Sequence, residues 1–165
     1  MAEAWGNILI KAPSEITTEL LSSEESTSWE TMSNLFRSAG IESLKDSHEL
    51  LTFCEGEEFH NEGIEEKSGF LNITIFGDEW MHAMQPLVKK GSGIEVYGSI
   101  YHEYGCNEYY ALNGEGKSFY GMVDFEGDED ADESTVVSEW LEYVPKEVQE
   151  AFPMVFSKKD DDDEE

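Results

Sequence analysis

The sequence has 165 residues, and its 38 acidic against 10 basic side chains give a formal net charge of -28. Because nucleic acids bind proteins largely by releasing counterions to Lys and Arg, this charge disfavours direct binding to DNA or RNA. Hydrophobic residues nevertheless make up 39% of the chain, which argues against a disordered acidic chain and predicts one folded domain of ordinary size.

The first elements of the chain alternate between strand and helix patterns. An apolar, β-branched run over residues 5–12 predicts a first strand, which Pro13 ends. Apolar residues at helical spacing predict a helix directly after Pro13 and a second helix over residues 28–39. Gly40 stands where the C-terminal cap of that second helix is expected.

The middle of the chain contains two predicted strands. Residues 49–60 are typical of a short β-strand, and a turn is expected near Gly63 or at the acidic pair Glu65 and Glu66. The run FLNITIF at residues 70–76 is the most strand-like of the chain, and we expect it in the centre of the sheet.

A helix and three closely spaced strands are predicted next. Asp78 is expected to cap a helix whose apolar stripe ends at residues 89–91. Three β-like runs then cover residues 94–104, 108–112 and 118–125. An Asn-Gly pair between the second and third runs predicts a tight hairpin.

The first of these runs alternates aliphatic residues with Glu, Tyr and Ser, which predicts a sheet with one buried face. An acidic loop follows, and a last amphipathic helix that contains Trp140 is expected to cover the sheet. The charge run at residues 157–165 has no apolar face to pack and predicts a disordered acidic tail.

The order of these elements predicts a single acidic α+β domain over residues 1–156. We expect an antiparallel sheet with its helices packed mainly on one face, ending in a three-stranded meander. The order in the first half, strand, helices, two strands and helix, resembles the split βαβ order of ferredoxin-like folds. That resemblance concerns topology and implies no function.

The cysteine content and the lack of long apolar runs predict a cytoplasmic protein. Cys54 and Cys106 are far apart in sequence and belong to no metal-binding or redox motif, which favours a reducing compartment. No secretory leader pattern opens the sequence, and no apolar run has the length needed to span a bilayer.

A calcium site is the metal hypothesis that the spacing of carboxylates allows. Asp128, Asp130, Asp132 and Glu139 occupy positions one, three, five and twelve of an EF-hand loop. Glu133 stands where that loop needs Gly for its sharp turn, and such spacing arises easily by chance in a chain this rich in carboxylates. A solvated acidic loop with a helix cap explains the same residues.

One group of residues could carry acid-base chemistry. Glu108, Tyr109 and Tyr110 are expected on a strand paired with that of His102, and a His with a carboxylate partner can act as a general base. An aromatic sheet surface that packs under a helix or binds a partner explains them equally. With no nucleophile motif or phosphate loop, the sequence predicts neither an enzyme nor a cofactor.

Binding to a basic protein is the function that the charge favours. Carboxylates spread over a folded surface can imitate the phosphates of a duplex and occupy the basic cleft of a nucleic-acid-binding protein. In size and charge the chain resembles small acidic inhibitors from phages and mobile elements, including anti-restriction and anti-CRISPR proteins. An immunity protein against a nuclease toxin, or an acidic adaptor or housekeeping domain with another partner, are the alternatives.

Two acidic segments supply the candidate residues for contact with such a partner. They are Glu55, Glu57, Glu58, Glu62, Glu65 and Glu66 in the first segment, and Asp124, Glu126, Asp128, Glu129, Asp130, Asp132 and Glu133 in the second.

Overall fold

A computed structural model describes residues 4–22, 26–40, 59–77, 79–91, 93–102, 106–124 and 133–156. The predicted cap at Asp78, most of the predicted strand at 49–60 and the predicted disordered tail at 157–165 lie outside these ranges. More than half of the acidic residues also lie outside them.

Every paired strand in the described residues is antiparallel to its neighbour. The six longer strands form one sheet, and a two-residue strand, β2, extends it at the edge of β3. The spatial order is β2-β3-β4-β1-β5-β6-β7, so β1 lies in the centre. The strands are β1 (Ala4–Lys11), β2 (Ser26–Thr27), β3 (Phe59–Lys67), β4 (Phe70–Phe76), β5 (Glu95–His102), β6 (Cys106–Leu112) and β7 (Ser118–Asp124).

The helices begin where the local sequence supplies a start signal. Pro13 and Pro145 precede helices, and the Ser28 hydroxyl caps another by accepting a hydrogen bond from the Thr31 amide at 3.2 Å. The described helices are α1 (Ser14–Leu21), α2 (Trp29–Ser38), α3 (Glu79–Lys90), α4 (Glu133–Glu142), α5 (Lys146–Ala151) and α6 (Pro153–Phe156). In these ranges, no helix combines the length and the apolar character needed to cross a lipid bilayer.

The turn predicted near Gly63 or at Glu65 and Glu66 is wrong, because all three residues lie within β3. The chain reverses at Ser68 and Gly69 instead, which have φ values of 55° and 83°. Positive φ at both central residues is the geometry of the two-residue hairpin turns that match the twist of the flanking strands. Pairing with β4 therefore holds the acidic residues in an extended conformation that their own propensity disfavours.

The expectation that helices pack mainly on one face is also wrong. On the first face, side chains such as Ile8 and Ile10 form a buried core with residues of α1, α2 and α3. On the second face, Leu9, Tyr97 and residues of α4, α5 and α6 form another buried core. The alternation of side chains along each strand separates the two cores, so the sheet is the middle layer of three.

The prediction of one buried face fails for β5 for the same reason. Val96 and Ile100 face the first core, while Tyr97 faces the second. Tyr97, which alternates with these aliphatic residues, is therefore covered by the C-terminal helices, and a tyrosine on this face is not by itself a sign of a solvated face.

Candidate functional site

The acidic residues predicted to contact a partner occupy two separate places in the fold. Glu62, Glu65 and Glu66 lie in β3, where all three side chains are exposed. Asp124 ends β7, and Glu133 begins α4. Since β3 and β7 lie towards opposite edges of the sheet, the described members of the two segments do not form one patch.

The predicted calcium ligands are described only at Glu139, whose exposed side chain lies on α4. The other candidate residues lie outside the described ranges: Glu55, Glu57, Glu58, Glu126, Asp128, Glu129, Asp130 and Asp132. Among the residues that the structure does describe, no three or more His, Cys, Asp or Glu side chains are grouped to hold a metal ion.

A row of aromatic residues crosses three adjacent strands at one end of the second sheet face. Trp5 in β1 pairs with Phe76 of β4 on one side and with Tyr101 of β5 on the other. Trp5 is 45% exposed and Phe76 is 42% exposed, whereas the aromatic residues at the other end of this face are buried under α4, α5 and α6. Large apolar side chains exposed together at one place are typical of a binding surface.

A groove of about 710 Å³ lies against Trp5 and Tyr101 of this row. Thr74 and Asn7 contribute to the groove from the next positions along β4 and β1. Met154 of α6, which is highly exposed, lines the groove together with Glu62 of β3. We call this surface the aromatic groove; the side chains that define it are Trp5, Asn7, Glu62, Thr74, Tyr101 and Met154.

Hydrogen bonds within the groove orient the amide of Asn7. Its Nδ2 donates to Asn72 Oδ1 at 3.0 Å and to Thr74 Oγ1 at 3.3 Å. Both amide hydrogens are directed at neighbours in β4, so the carbonyl oxygen of Asn7 serves as an acceptor. Together with the Glu62 carboxylate, the groove offers acceptors beside aromatic rings.

Neither Trp5 nor Phe76 was predicted as a site residue, although a signal was present in the sequence. In β1, Trp5 and Asn7 alternate in step with Leu9 and therefore lie on the same face of the strand. In β4, Phe76 lies on the same face as Thr74 and Asn72. An aromatic residue that shares a strand face with polar residues is a candidate for exposure. The sequence did not reveal that the two strands pair and bring these faces together.

A second cavity, of about 560 Å³, lies where the β6–β7 turn approaches α4 and α5. Its lining includes the carboxylates of Glu95, Glu115, Glu142 and Glu147, and also Lys11. Nothing in the described residues distinguishes this cavity from an acidic surface cleft.

The histidine and carboxylate expected to lie together do so in the first core. His102 Nε2 lies 3.8 Å from Glu108 Oε2, and the Tyr110 hydroxyl donates a hydrogen bond to Glu108. Glu108 is 1% exposed. Tyr109 faces the second core instead, where its ring lies 5.0 Å from that of Trp140, so it takes no part in this cluster.

The tyrosines around Glu108 are held in their neutral form. Burial, with the adjacent Glu108 carboxylate, raises the pKa of the Tyr110 hydroxyl well above its usual range. Burial and Glu108 also raise the pKa of Tyr120 in β7. Neutral phenols beside a buried carboxylate act as hydrogen-bond donors, and the cluster contributes to the packing of β6 and β7.

Comparison with known proteins gives no significant match to a family model, to a curated protein or to a solved structure. Conclusions about function therefore depend on the residues of this chain alone.

Proposed function

We propose that this protein binds a basic protein and covers the surface that its partner uses for nucleic acid. The observation that carries the proposal is the aromatic groove beside the exposed acidic strand β3. Glu62, Glu65 and Glu66 project from the same strand, and Glu62 also lines the groove next to Trp5. A surface that joins carboxylates to exposed aromatic rings suits the Lys and Arg side chains of a nucleic-acid-binding cleft.

The charge of the whole chain supports the same proposal. An excess of 28 negative charges repels phosphate backbones and attracts basic proteins at long range. Binding would therefore be fast at low ionic strength, and the partner would lose its access to DNA or RNA. The proposal also holds that the protein makes no direct contact with nucleic acid, catalyses no reaction and is located in the cytoplasm.

Two finer features of the fold, its ferredoxin-like strand order and its C-terminal meander, are also part of the proposal. We interpret the order β3-β4-β1-β5, with helices in the connections before β3 and before β5, as ferredoxin-like. We interpret β5, β6 and β7, which pair in sequence order, as the meander that extends it.

A capture experiment followed by measurements on the purified pair tests the proposal. The immobilised protein is used to capture partners from the cells that produce it, and the captured protein is purified. We expect its dissociation constant to rise at least roughly tenfold between low salt and physiological salt, and duplex DNA or RNA to compete for it. A salt-insensitive complex, or a ternary complex that retains nucleic acid, would contradict the proposal.

A pair of variants with equal charge loss locates the binding surface. Replacing the β3 acids by Gln (E62Q/E65Q/E66Q) should weaken the complex substantially. The control E115Q/E139Q/E150Q removes three exposed carboxylates from the β6–β7 turn, α4 and α5. Equal weakening by both variants would show that only net charge matters and that β3 is not the contact.

A further inference from the structure

We infer that the aromatic groove binds an arginine side chain displayed by the partner, a conclusion that rests on the proposed function and specifies its chemistry. The rings of Trp5, which is 45% exposed, and of Tyr101 supply the surface on which a guanidinium stacks, and the Glu62 carboxylate supplies its counter-charge.

The chemistry of the groove selects a ligand group that only donates hydrogen bonds. The Asn7 amide directs both of its hydrogens to β4, which leaves its oxygen to accept, and Glu62 accepts at the rim. A guanidinium has five N–H donors and no acceptor, and its flat faces stack on aromatic rings. An ammonium group matches the charge but lacks the flat face.

The rest of the fold shows that this chain pairs its own cations with aromatic rings. Lys11 lies 5.7 Å from the ring centroid of Phe70, Lys67 lies 5.6 Å from that of Phe152, and Lys89 lies 5.1 Å from that of Tyr120.

The aromatic row of Trp5, Phe76 and Tyr101, at the open end of the second sheet face, differs from those three lysine–aromatic pairs. Among the described residues that line the aromatic groove there is the Glu62 carboxylate but no Lys or Arg, and the one histidine of the lining, His102, lies 3.8 Å from the buried Glu108 carboxylate. The groove is therefore complementary in charge to a cation that another molecule brings.

A nuclear magnetic resonance titration with short blocked peptides tests this inference. The probes are acetyl-GRGRG-amide and its lysine counterpart, acetyl-GKGKG-amide, and the signal is the indole N–H of each tryptophan. We expect the arginine peptide to shift the Trp5 signal and to bind more tightly than the lysine peptide. Trp80 and Trp140 serve as internal controls, because their indoles donate to the backbone oxygens of His60 and Tyr110 inside the fold.

Two substitutions distinguish stacking of the guanidinium on Trp5 from a general attraction to the negative charge of the protein. W5A should weaken the arginine peptide roughly threefold to thirtyfold, the range expected from a cation–π contact. M122A removes another exposed apolar side chain, at the β7 edge, and should leave the affinity unchanged. Circular dichroism and the melting temperature verify that both variants are folded.

Three results would overturn the inference. They are equal affinities of wild type and W5A for the arginine peptide, equal binding of the arginine and lysine peptides, and tighter binding of a single-stranded dT oligonucleotide, which would make the aromatic row a stacking platform for bases. If the peptides fail but the purified partner still binds in a salt-dependent manner, the proposed function survives and only the arginine site is rejected.

Discussion

Glu108 is a carboxylate held inside the first core with 1% of its surface exposed. The Tyr110 hydroxyl donates a hydrogen bond to it, whereas His102 Nε2 lies 3.8 Å from its Oε2, beyond hydrogen-bond distance. A buried carboxylate is tolerated only when such donors replace water. The burial of Glu108 therefore depends on the tyrosine hydroxyls of β6 and β7.

Removing the hydroxyl of Tyr110 should show how much the buried Glu108 carboxylate depends on this hydrogen bond. We expect Y110F to lower the free energy of unfolding by about 1–3 kcal/mol, because the substitution leaves a buried acceptor without its donor. Urea denaturation measures the effect. Y143F is the matched control, since the half-buried Tyr143 stacks on Phe119 at 5.3 Å and no hydrogen bond of its hydroxyl is found within the described residues. Equal losses in both variants would contradict the account of Glu108.

The same tyrosines predict how stability depends on alkaline pH. Burial raises the pKa of Tyr97, Tyr110 and Tyr120 in the folded protein, whereas the unfolded chain titrates near its usual value of about 10. Below that pH both states are protonated and stability is fully present. Above it only the unfolded state loses its protons, so the free energy of unfolding should fall as pH rises.

Urea midpoints measured from pH 8 to about pH 11 check this expectation. Y110F should lose less stability over the interval than wild type, because one of the three shifted groups has been removed. An identical pH dependence in the two proteins would show that Tyr110 is not held neutral by the fold.

At the scale of elements, the central strand β1 is fixed by a close approach of backbones. Gly6 has a φ of 154°, and a Cβ at this position would lie 2.0 Å from the backbone oxygen of Ser99 in β5. The neighbouring Trp5 and Asn7 belong to the aromatic groove, so the geometry at Gly6 also positions the candidate site.

We expect G6A to destabilise the protein by about 3 kcal/mol or more, since a backbone oxygen cannot move aside as a flexible side chain can. G63A is the control in β3: a Cβ there meets nothing within 4 Å, and its effect should stay within about 0.5 kcal/mol. Thermal or urea unfolding of both variants gives the comparison. Similar stabilities would mean that β1 and β5 do not approach as closely as described.

The sequence predicted elements where a local signal decides the structure. The run at residues 70–76 became β4 with the same bounds, and the helix predicted over residues 28–39 became α2, which Ser28 caps. Both depend on neighbours within a few residues, either through β-propensity or through a side-chain cap.

The sequence failed where partners from distant parts of the chain decide. Glu65 and Glu66 are extended because β4 pairs with them, and Tyr97 is buried because Trp140 and its neighbours arrive from the C-terminal helices. The aromatic groove has the same origin, since Trp5 and Thr74 are separated by most of the first half of the chain. The acids of β3 were recognised from the sequence, but the position of Glu62 in the groove with Trp5 required the fold.

At the scale of the whole molecule, charge opposes the compact state. The acidic side chains, which give the chain a net charge of -28, repel one another more strongly in the folded protein than in an expanded chain. Dissolved salt screens that repulsion. We therefore expect the melting temperature to rise by about 3 °C or more between low salt and about 0.5 M NaCl.

The variant E62Q/E65Q/E66Q, with fewer acids on one strand, should show a smaller salt effect than wild type. Differential scanning calorimetry across a salt series measures both proteins. A melting temperature that falls with added NaCl would mean that attractive ion pairs, rather than repulsion, dominate the surface.

The surface that we propose to meet a basic partner can be identified directly by carboxyl footprinting of the purified complex. Carbodiimide-activated labelling with glycine ethyl ester, read by mass spectrometry, compares each exposed carboxylate in the free and bound protein. We predict that Glu62, Glu65 and Glu66 are protected in the complex. Labelling of Glu115, Glu139 and Glu150 should stay as it is in the free protein. Protection of the second group with unchanged labelling of β3 would contradict the proposal that this protein binds through its acidic strand and the aromatic groove beside it.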